Sequence, residues 1–494
     1  MWLGQLVDRN RRCYPDRVAL VDERRSVTWS GFHERTRRLA RGLAGLGIER
    51  GDRVVVLSLD RIEVLETYVA LSLLGALFVP LNHSLAGPEV SEIVERVGAR
   101  AVIGESGLLA RFPDLPVARR IPLDEPAFAE LGEESAESEE FEFPRVADTD
   151  PIAILHTSAT TGRAKGVVVD QQSFRAISLG WLAVSRPAED MVLVNCCPLY
   201  HGSMTVTLTY LAAGATAVLM PGFTPQRALA AIETHRATHV WLVPQMLRFL
   251  LQAKAADRAD LGSLREILYG AAPMPPEVYA AAAARLGCGF RQVYGMTEVG
   301  GPFVTLGPEE HPAADAVGEI IPAGRVIPGM SARALDPTGR EAAPDAIGEI
   351  VVRGPGVMHG YWLDPAATAE ITTADGWIRT GDLGRIDGQG RIHLVDRSKD
   401  VILRAGQNVY PSEVERALLQ HPAVRDAAVV GVPDADYGEV PVAYVVTADD
   451  TGRADLQRHL AERLAPYKRP TRIEFLDQVP RNPAGKIVKK LLRA

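Results

Sequence analysis

Residues 154–170, ILHTSATTGRAKGVVVD, combine side chains that can bind phosphate. The apolar run 152–155 and the β-branched run 167–169 read as two strands, so the residues between them form a loop. The loop holds hydroxyls, a glycine and one lysine: Thr157, Ser158, Thr160, Thr161, Gly162 and Lys165. Hydroxyls, backbone N–H groups beside small residues and a mobile cation are the groups that hold a polyphosphate. A flexible surface turn is the alternative interpretation. A GxxxxGK[ST] P-loop does not fit, because Gly166 follows Lys165.

Two later segments could complete a nucleotide site. A predicted strand ends in the small residues 270–273, GAAP, which let a flat ring approach the backbone. In the segment 294–298, YGMTE, Tyr294 could stack on a ring, Thr297 could bind a phosphate oxygen and Glu298 could bind Mg²⁺. Five common residues are a weak signal when taken alone, so their position after the phosphate loop and just after a strand carries the interpretation.

Three further residues could do chemistry, and each has a structural alternative. His201 follows the predicted strand 191–197, at the strand end where α/β proteins bind ligands, or it is a satisfied structural histidine. Asp382, in a TGD turn, could accept hydrogen bonds from both ribose hydroxyls or could cap its own turn. Lys486 stands in a loop set by proline and glycine, or it belongs with the other basic residues of the C-terminal tail.

The order of these motifs resembles that of the adenylate-forming superfamily, which contains acyl-CoA synthetases, luciferases and peptide-synthetase adenylation domains. The matching segments are TSATTGRAKG, GAAP, YGMTE, TGD, DRSKD and PRNPAGK, and they cover essentially the whole chain. The chain is most similar to a stand-alone acyl-CoA synthetase. Three positions depart from the usual pattern. Ala159 and Ala164 replace a glycine and a proline of the phosphate loop, and Ala405 replaces the first of two glycines where pantetheine passes.

The resemblance implies a reaction in two steps that uses ATP, Mg²⁺ and coenzyme A. A carboxylate attacks the α-phosphate of ATP and pyrophosphate leaves; the acyl-adenylate then reacts with the thiol of CoA. Two alternatives remain open: an adenylation enzyme that loads a free-standing acyl carrier protein, and a catalytically silent nucleotide-binding relative. The joint presence of Thr297, Glu298, Asp382, Arg397 and Lys486 argues against silence.

The resemblance also implies a role for each matching residue. Lys486, Thr297, Glu298 and His201 would act in catalysis, and Glu298 would be the metal ligand. The residues that would bind ATP are Thr157, Ser158, Thr160, Thr161, Gly162, Lys165, Gly270, Ala271, Ala272, Tyr294, Gly295, Met296, Thr297, Asp382, Arg397 and Lys486. The acyl pocket would be bordered by His201, Gly202, Met204, Thr205, Tyr269, Ala271, Gly295, Met296 and Gly301. Lys399 would be the hinge, with Arg404, Ala405 and Gly406 beside the path of CoA.

The predicted acyl pocket favours one class of acid. Its residues are mostly apolar, and no aspartate in the turn after Tyr200 could hold an α-amino group. We therefore expect an aryl or medium-chain acid rather than an amino acid. The predicted partners are this small carboxylic acid and either CoA or a carrier protein.

The elements that must position these residues alternate between strand and helix. Strands are predicted at 53–57, 78–80 and 101–103, with helices at 62–74 and 90–97 between them. This order predicts a doubly wound α/β layer. The resemblance adds a distorted β-barrel subdomain and a hinge. It divides the chain into a large ATP- and acyl-binding domain, residues 1–397, and a small mobile α+β domain, residues 398–494, that carries the catalytic lysine.

Composition limits the remaining possibilities. The 494 residues carry a net charge of −8 without a basic block in the body of the chain, which argues against nucleic acid as a partner. We expect no signal peptide, because residues 1–11 turn polar at once, and no membrane span, because the apolar stretch 64–81 contains Glu66. The four cysteines lack zinc spacing and predict buried reduced thiols in a cytoplasmic protein. We also expect a monomer or a homodimer.

Overall fold

The computed structural model describes residues 2–131, 141–157, 164–200, 202–313, 321–448, 451–481 and 487–493. The chain divides into two compact units, of which the first contains Met1–Ser331 and Arg353–Thr372 and the second contains Ala332–Val352 and Thr373–Ala494. The domain boundary predicted between residues 397 and 398 falls inside the second unit and stays a prediction.

The strands are numbered in chain order. Those of the first half are β1 (Val18–Val21), β2 (Ser26–Thr28), β3 (Arg53–Leu57), β4 (Leu77–Pro80), β5 (Ala101–Gly104), β6 (Arg119–Pro122), β7 (Pro151–His156), β8 (Gly166–Asp170), β9 (Val192–Asn195), β10 (Thr216–Leu219) and β11 (His239–Leu242). Those of the second half are β12 (Glu266–Gly270), β13 (Gly289–Met296), β14 (Gly301–Leu306), β15 (Arg325–Val326), β16 (Ser331–Leu335), β17 (Gly348–Arg353), β18 (Gly360–Tyr361), β19 (Ile378–Ile386), β20 (Ile392–Arg397), β21 (Ile402–Arg404), β22 (Gln407–Val409), β23 (Val424–Asp434), β24 (Gly438–Thr447) and β25 (Arg472–Phe475).

The α-helices are numbered in the same way. They are α1 (Trp2–Cys13), α2 (Trp29–Gly45), α3 (Ile62–Leu74), α4 (Gly87–Val97), α5 (Ser106–Ala110), α6 (Pro126–Glu130), α7 (Gln171–Ser185), α8 (Ser203–Ala212), α9 (Pro225–Thr234), α10 (Pro244–Gln252), α11 (Pro276–Leu286), α12 (Pro365–Ile371), α13 (Pro411–Leu419) and α14 (Arg453–Ala461). Short 3₁₀ turns include Thr297–Val299, Ser398–Asp400 and Lys489–Leu492.

A seven-stranded sheet of the first unit carries the phosphate loop. Its order is β18-β8-β7-β4-β3-β5-β6. Strands β4, β3, β5 and β6 are parallel, because helices α3 and α4 return the chain to the same edge. Strands β7 and β8 form an antiparallel hairpin, with His156 opposite Gly166, and the loop joins their ends.

A nine-stranded sheet of the same unit carries the other nucleotide motifs. Its order is β15-β14-β13-β12-β11-β9-β10-β1-β2. The six strands from β13 to β1 in this order are parallel, so the carboxyl ends of β9, β12 and β13 lie at one edge. The segments after Asn195, Gly270 and Met296 therefore share the edge at which such sheets bind ligands.

Helices cover both faces of each sheet, so the predicted doubly wound α/β fold is confirmed. One core cluster joins residues of both sheets to helices α2, α3 and α8. A second cluster packs α9, α10 and α11 on the nine-stranded sheet, and a third packs α4 on the seven-stranded sheet. Helix α3 spans the same residues as predicted, and its Glu66 is fully buried with its carboxylate 2.9 Å from Arg25. No helix among the described residues is long and apolar enough to cross a membrane.

The second unit contains two smaller sheets. One is a four-stranded sheet in the order β16-β17-β19-β20. Strands β22-β21-β24-β23 form the second sheet, and β25 pairs with β24. Helices α13 and α14 pack on its central strands, which confirms the small C-terminal α+β fold.

The cysteines match the expectation only in part. All four are free, and Cys196 and Cys197 are buried. Cys13 is exposed and Cys288 is partly exposed, so the prediction of buried thiols is wrong for Cys13. The predicted strand 191–197 is also too long, because β9 ends at Asn195 and both buried cysteines follow it.

Candidate active site

The ends of the phosphate loop are fixed by the hairpin. The backbone N–H of Thr157 donates to the carbonyl of Lys165 at 3.1 Å, one step beyond the last pair of the β7–β8 ladder. A Cβ at Gly166 would lie 2.7 Å from Ile154, so packing requires glycine there. Ser158, Thr160, Thr161 and Gly162 lie outside the described residues.

Two residues beside this loop, His156 and Arg96, differ in charge. Burial, with a smaller effect of Arg96, lowers the pKa of His156 to about 4, so this imidazole is uncharged at neutral pH. Arg96 donates to the carbonyl of Ala164 at 2.9 Å. The replacement of the usual proline by Ala164 therefore leaves the loop anchored by a backbone acceptor.

The side chain of Lys165 lies over an aromatic ring. Its Nζ lies 4.9 Å from the centre of the Tyr361 ring and 3.7 Å from Glu370. Its side chain is about one quarter exposed, so the ammonium remains within reach of a ligand. A cation over an aromatic face is attracted by the negative face of the ring.

Two different physical reasons account for the small residues at the end of β12 and just after it. A Cβ at Gly270 would lie 2.3 Å from the carbonyl oxygen of Val293, so the neighbouring strand excludes any side chain there. Ala271 is exposed and adopts φ +64, a left-handed conformation that costs about 1 kcal/mol or more for a residue with a Cβ. Strain of this kind is typical of ligand-binding turns. Ala272 follows, half-buried.

The YGMTE segment is divided between a strand and a turn. Tyr294, Gly295 and Met296 are the last residues of β13, and Thr297 and Glu298 begin a 3₁₀ turn. The expectation that the whole motif follows a strand is therefore wrong for its first three residues. A Cβ at Gly295 would lie 2.3 Å from the carbonyl oxygen of Gly301, so strand pairing requires this glycine as well.

Glu298 is the predicted metal ligand, and its carboxylate is held from one side. It is 8% exposed, and its Oε1 accepts a hydrogen bond from the hydroxyl of Tyr361 at 2.7 Å. Oε2 has no hydrogen-bond partner among the described residues. Mg²⁺ in ATP sites is bound by one or two carboxylates and substrate phosphates, so a single glutamate with one open oxygen fits that ion.

The predicted acyl-pocket residues separate into two groups. Met204 and Thr205 are buried on α8, and the hydroxyl of Thr205 donates to the carbonyl of Gly300 beside Gly301. A Cβ at Gly301 would lie 2.9 Å from the Thr205 hydroxyl. Gly202 precedes α8 and Met296 pairs with Gly301, whereas His201 lies outside the described residues.

Tyr269 belongs to a different cluster. Its side chain is fully buried in the core with α9 to α11, and its hydroxyl lies 3.0 Å from Gln292 and 2.9 Å from His311. The structure therefore does not place this ring with Met204 and Thr205, and the sequence pattern gave no sign of the difference.

Asp60 supports the turn at Leu199 and Tyr200 that follows β9, and sequence analysis missed it. Its Oδ1 accepts from the backbone N–H of Leu199 at 2.9 Å. Burial raises the pKa of Asp60 to about 8, although the Leu199 N–H acts in the opposite direction. The Asp60 carboxyl is therefore predominantly protonated at neutral pH. No sequence signal marks it, because its partner lies 139 positions away.

In the second unit, Asp382 and Arg397 face each other across the β19–β20 pair. The guanidinium Nε lies 3.0 Å from Asp382 Oδ1, and Asp382 is 9% exposed. The side chain of Arg397 is about half exposed. The two residues that the sequence assigned to the ribose thus lie together.

The predicted hinge, Lys399, lies in the 3₁₀ turn Ser398–Asp400. Asp400 accepts from Arg493 at 2.9 Å, so the end of the chain is tied to this turn. Burial and the neighbouring Arg397 lower the pKa of the Lys399 ammonium.

The predicted CoA loop also belongs to the second unit. Arg404 donates to the carbonyl of Tyr467 at 2.9 Å and stacks on the ring of Tyr437. Ala405 adopts φ +48 and Gly406 φ +79, two successive left-handed residues. Glycine adopts this conformation without strain, whereas the Cβ of Ala405 means that this residue carries backbone strain.

Ala405→Gly is therefore expected to stabilise the protein. Removing the Cβ from a left-handed position should raise the free energy of unfolding by about 1 kcal/mol. Chemical denaturation checks this. The matched control is Ala435→Gly, in an exposed turn with negative φ, where only the entropic cost of glycine applies and stability should fall. Equal destabilisation by both substitutions would contradict the assignment of strain to Ala405.

Lys486 lies outside the described residues, but both ends of its loop are described. Arg481 pairs with Asp426 at 2.9 Å and forms a β-bridge with Ile487. Lys489 pairs with the partly buried Glu415 at 2.9 Å. Two basic residues near Lys486, Arg481 and Lys489, thus have structural partners of their own.

Comparison with known proteins identifies the class to which these motifs belong. The AMP-binding enzyme family model matches residues 7–362, and the model of the AMP-binding enzyme C-terminal domain matches residues 413–486. The chain belongs to the AMP-binding enzyme family, as the sequence resemblance implied.

Individual relatives match over nearly their full length. The chain is 36% identical to a fatty acid–[acyl-carrier-protein] ligase, ScoC, of Streptomyces coeruleorubidus, over 97% of this chain and 93% of the relative. It is also 36% identical to a feruloyl-CoA synthase of Amycolatopsis, over 99% and 98%. The ATP-bound structure of MatB from Rhodopseudomonas palustris superimposes with a TM-score of 0.89 at 30% identity, covering 99% of this chain and 98% of that one.

The predicted activity is confirmed at the level of class. The chain is an ATP-dependent, AMP-forming ligase that joins a carboxylic acid to a thiol, with CoA as the acyl acceptor. Loading of a carrier protein is an alternative that is not better supported.

Proposed function

We propose that this ligase activates an aryl or medium-chain carboxylic acid and transfers the acyl group to CoA. The observation that carries the proposal is the meeting of Lys165 and Glu298 at Tyr361. A phosphate-binding cation and a metal-binding carboxylate, far apart in the sequence, lie on the face and on the hydroxyl of one ring.

In the first step, a carboxylate oxygen of the acid bonds to the α-phosphorus of ATP. The bond between this phosphorus and the oxygen bridging to the β-phosphate breaks, and pyrophosphate leaves with that electron pair. Because two anions must approach, the site has to supply positive charge. We assign this to Lys165 and Lys486, with Thr297 donating to a phosphate oxygen; no side-chain nucleophile takes part.

Mg²⁺ bound at Glu298 would neutralise phosphate charge and orient the polyphosphate. The remaining ATP contacts are proposed at the wall of Ala271 and Ala272, at the ring of Tyr294, and at Asp382 with Arg397 on the ribose.

In the second step, the CoA thiol sulfur bonds to the acyl carbon and AMP leaves, while the thiol proton is released. The loop with Arg404, Ala405 and Gly406 is proposed to border the path of pantetheine. The short turn at Lys399 is proposed as the hinge between residues 1–397 and 398–494, which would move Lys486 away before this step.

The acid class rests on the mostly apolar residues Met204, Thr205, Met296 and Gly301, which are buried except for the partly buried Met296. The similarity to a feruloyl-CoA synthase supports an aryl acid. The similarity to a fatty acid–[acyl-carrier-protein] ligase supports a chain acid and a carrier protein as the second candidates. A cytoplasmic location is also proposed, because the two buried cysteines are free thiols.

Exchange of labelled pyrophosphate into ATP tests the first half-reaction. Hydroxycinnamic, phenylacetic and medium-chain fatty acids should each be assayed alone, with an amino acid as the negative control. The proposal expects exchange with one of the first three classes, followed by thioester formation when CoA is added. If the amino acid supports exchange and none of the other acids does, the proposal of an aryl or medium-chain acid is wrong. Exchange without a CoA thioester, but with acylation of a phosphopantetheinyl carrier protein, would favour the second candidate.

A further inference from the structure

Tyr361 is held in position independently of Glu298. It belongs to the two-residue strand β18, in which it pairs with Val167 of β8. Its backbone N–H donates to the hydroxyl of Thr368 at 2.9 Å, and that hydroxyl donates in turn to the carbonyl of Asp364 at 2.9 Å. The ring is 8% exposed, so neither its backbone nor its side chain is free to rotate away.

The segment that contains Tyr361 contacts Glu298 twice. The backbone N–H of Met358 donates to the carbonyl of Glu298 at 2.9 Å, and the Tyr361 hydroxyl donates to its carboxylate at 2.7 Å. Backbone and side chain of the glutamate are therefore attached to one segment. Because a carboxylate can only accept a hydrogen bond, the Tyr361 hydroxyl is the donor in this contact.

We propose that Tyr361 is the positioning residue of the metal site, because its hydroxyl fixes one oxygen of Glu298 and leaves the other directed to Mg²⁺. Its ring face holds Lys165, so the same side chain sets the distance between the metal ligand and the phosphate-binding lysine. This inference rests on the proposed function of Glu298 as the metal ligand. It adds a residue that the sequence motifs did not single out.

Tyr361→Phe tests the hydroxyl and preserves the ring. The Mg²⁺ concentration for half-maximal pyrophosphate exchange should rise roughly 10- to 100-fold, as for the loss of one hydrogen bond to a charged group. At saturating Mg²⁺ the KM for ATP should stay near that of the unaltered protein, because the ring still holds Lys165. Tyr361→Leu removes the ring as well and should raise that KM several-fold.

A binding measurement separates this effect from turnover. Mn²⁺ serves as the probe, bound together with α,β-methylene-ATP, which cannot be cleaved at the reacting bond, and followed by electron paramagnetic resonance. Tyr361→Phe should weaken Mn²⁺ binding by a similar factor. The matched control is Tyr279→Phe. Tyr279 is 7% exposed, and its hydroxyl donates to the carbonyl of Pro312 at 2.7 Å. This substitution should leave Mn²⁺ binding unchanged.

Glu298→Gln distinguishes a failure of the positioning role of Tyr361 from a failure of the metal role of Glu298. If Glu298→Gln weakens Mn²⁺ binding and Tyr361→Phe does not, the positioning role is overturned and the proposed function stands. If neither substitution changes Mn²⁺ binding, the metal role of Glu298 fails and the inference fails with it. If Tyr361→Phe and Tyr279→Phe weaken binding equally, the effect is general and the positioning role is again overturned. Tyr361→Phe keeps the buried ring, so the test does not depend on whether Tyr361→Leu folds.

Discussion

Lys486→Ala is expected to lower the rate of acyl-adenylate formation by ~10²–10³-fold, the usual cost of removing one preorganised charge contact from a developing anion. The lysine is assigned to the carboxylate and the α-phosphate, which come together only in the first half-reaction. Thioester formation from a supplied acyl-adenylate should therefore be nearly unchanged. Single-turnover assays of the two half-reactions measure this directly.

Lys490→Ala is the control for this prediction. Lys490 is an exposed lysine four positions along the same tail, and the alternative interpretation treats both lysines as members of one basic surface. If that interpretation were right, the two substitutions would have similar small effects. Equal damage to both half-reactions by Lys486→Ala would also refute the assigned role.

Asp382→Ala is expected to raise the KM for ATP by ~10–100-fold, as for the loss of hydrogen bonds to a carboxylate. A ribose contact is present in the ground state and in the transition state, so kcat should change far less. The substitution leaves Arg397 without this partner. Because that side chain is about half exposed, water can solvate it and the folded state should lose little stability.

Asp387→Ala is a matched control for Asp382→Ala. Asp387 lies on the same hairpin and pairs with Arg391 at 2.8 Å and His393 at 2.9 Å. Its removal should leave the KM for ATP unchanged even if it costs stability. An unchanged KM in Asp382→Ala, with the protein folded, would mean that Asp382 only supports its turn.

Several elements were predictable because their signals are local. The bounds of helix α3 agree with the prediction, since an apolar run followed by Gly75, at φ +69, defines both ends. The hairpin around the phosphate loop follows from two β-branched runs separated by small polar residues. The motifs also identified the family, because each combines the side chains that its chemistry needs within a few positions.

Two glycines have a structural role that the local sequence pattern did not reveal. The sequence suggested that Gly270 lets a flat ring approach the backbone, and the family resemblance assigned Gly295 to the ATP and acyl sites. In the structure, a Cβ at either position would lie 2.3 Å from a carbonyl oxygen of the adjacent strand. Both interpretations require a small residue, and only the strand pairing distinguishes them. Ala405 is similar: the sequence marked it as unusual, and the dihedral φ +48 supplied the physical reason.

The sequence by itself determined the fold class and the order of the nucleotide motifs, because these depend on residue types and on short spacings. The resemblance of these motifs to a known family determined the type of reaction. The tertiary structure alone decided which distant residues meet. Tyr361 hydrogen-bonds to Glu298, which is 63 positions away, and Asp60 to Leu199, which is 139 positions away. Tyr269 is buried in the core cluster of α9 to α11. Such contacts form when strands pair and apolar faces are buried, and the free energy of burial depends on the whole chain rather than on any short segment.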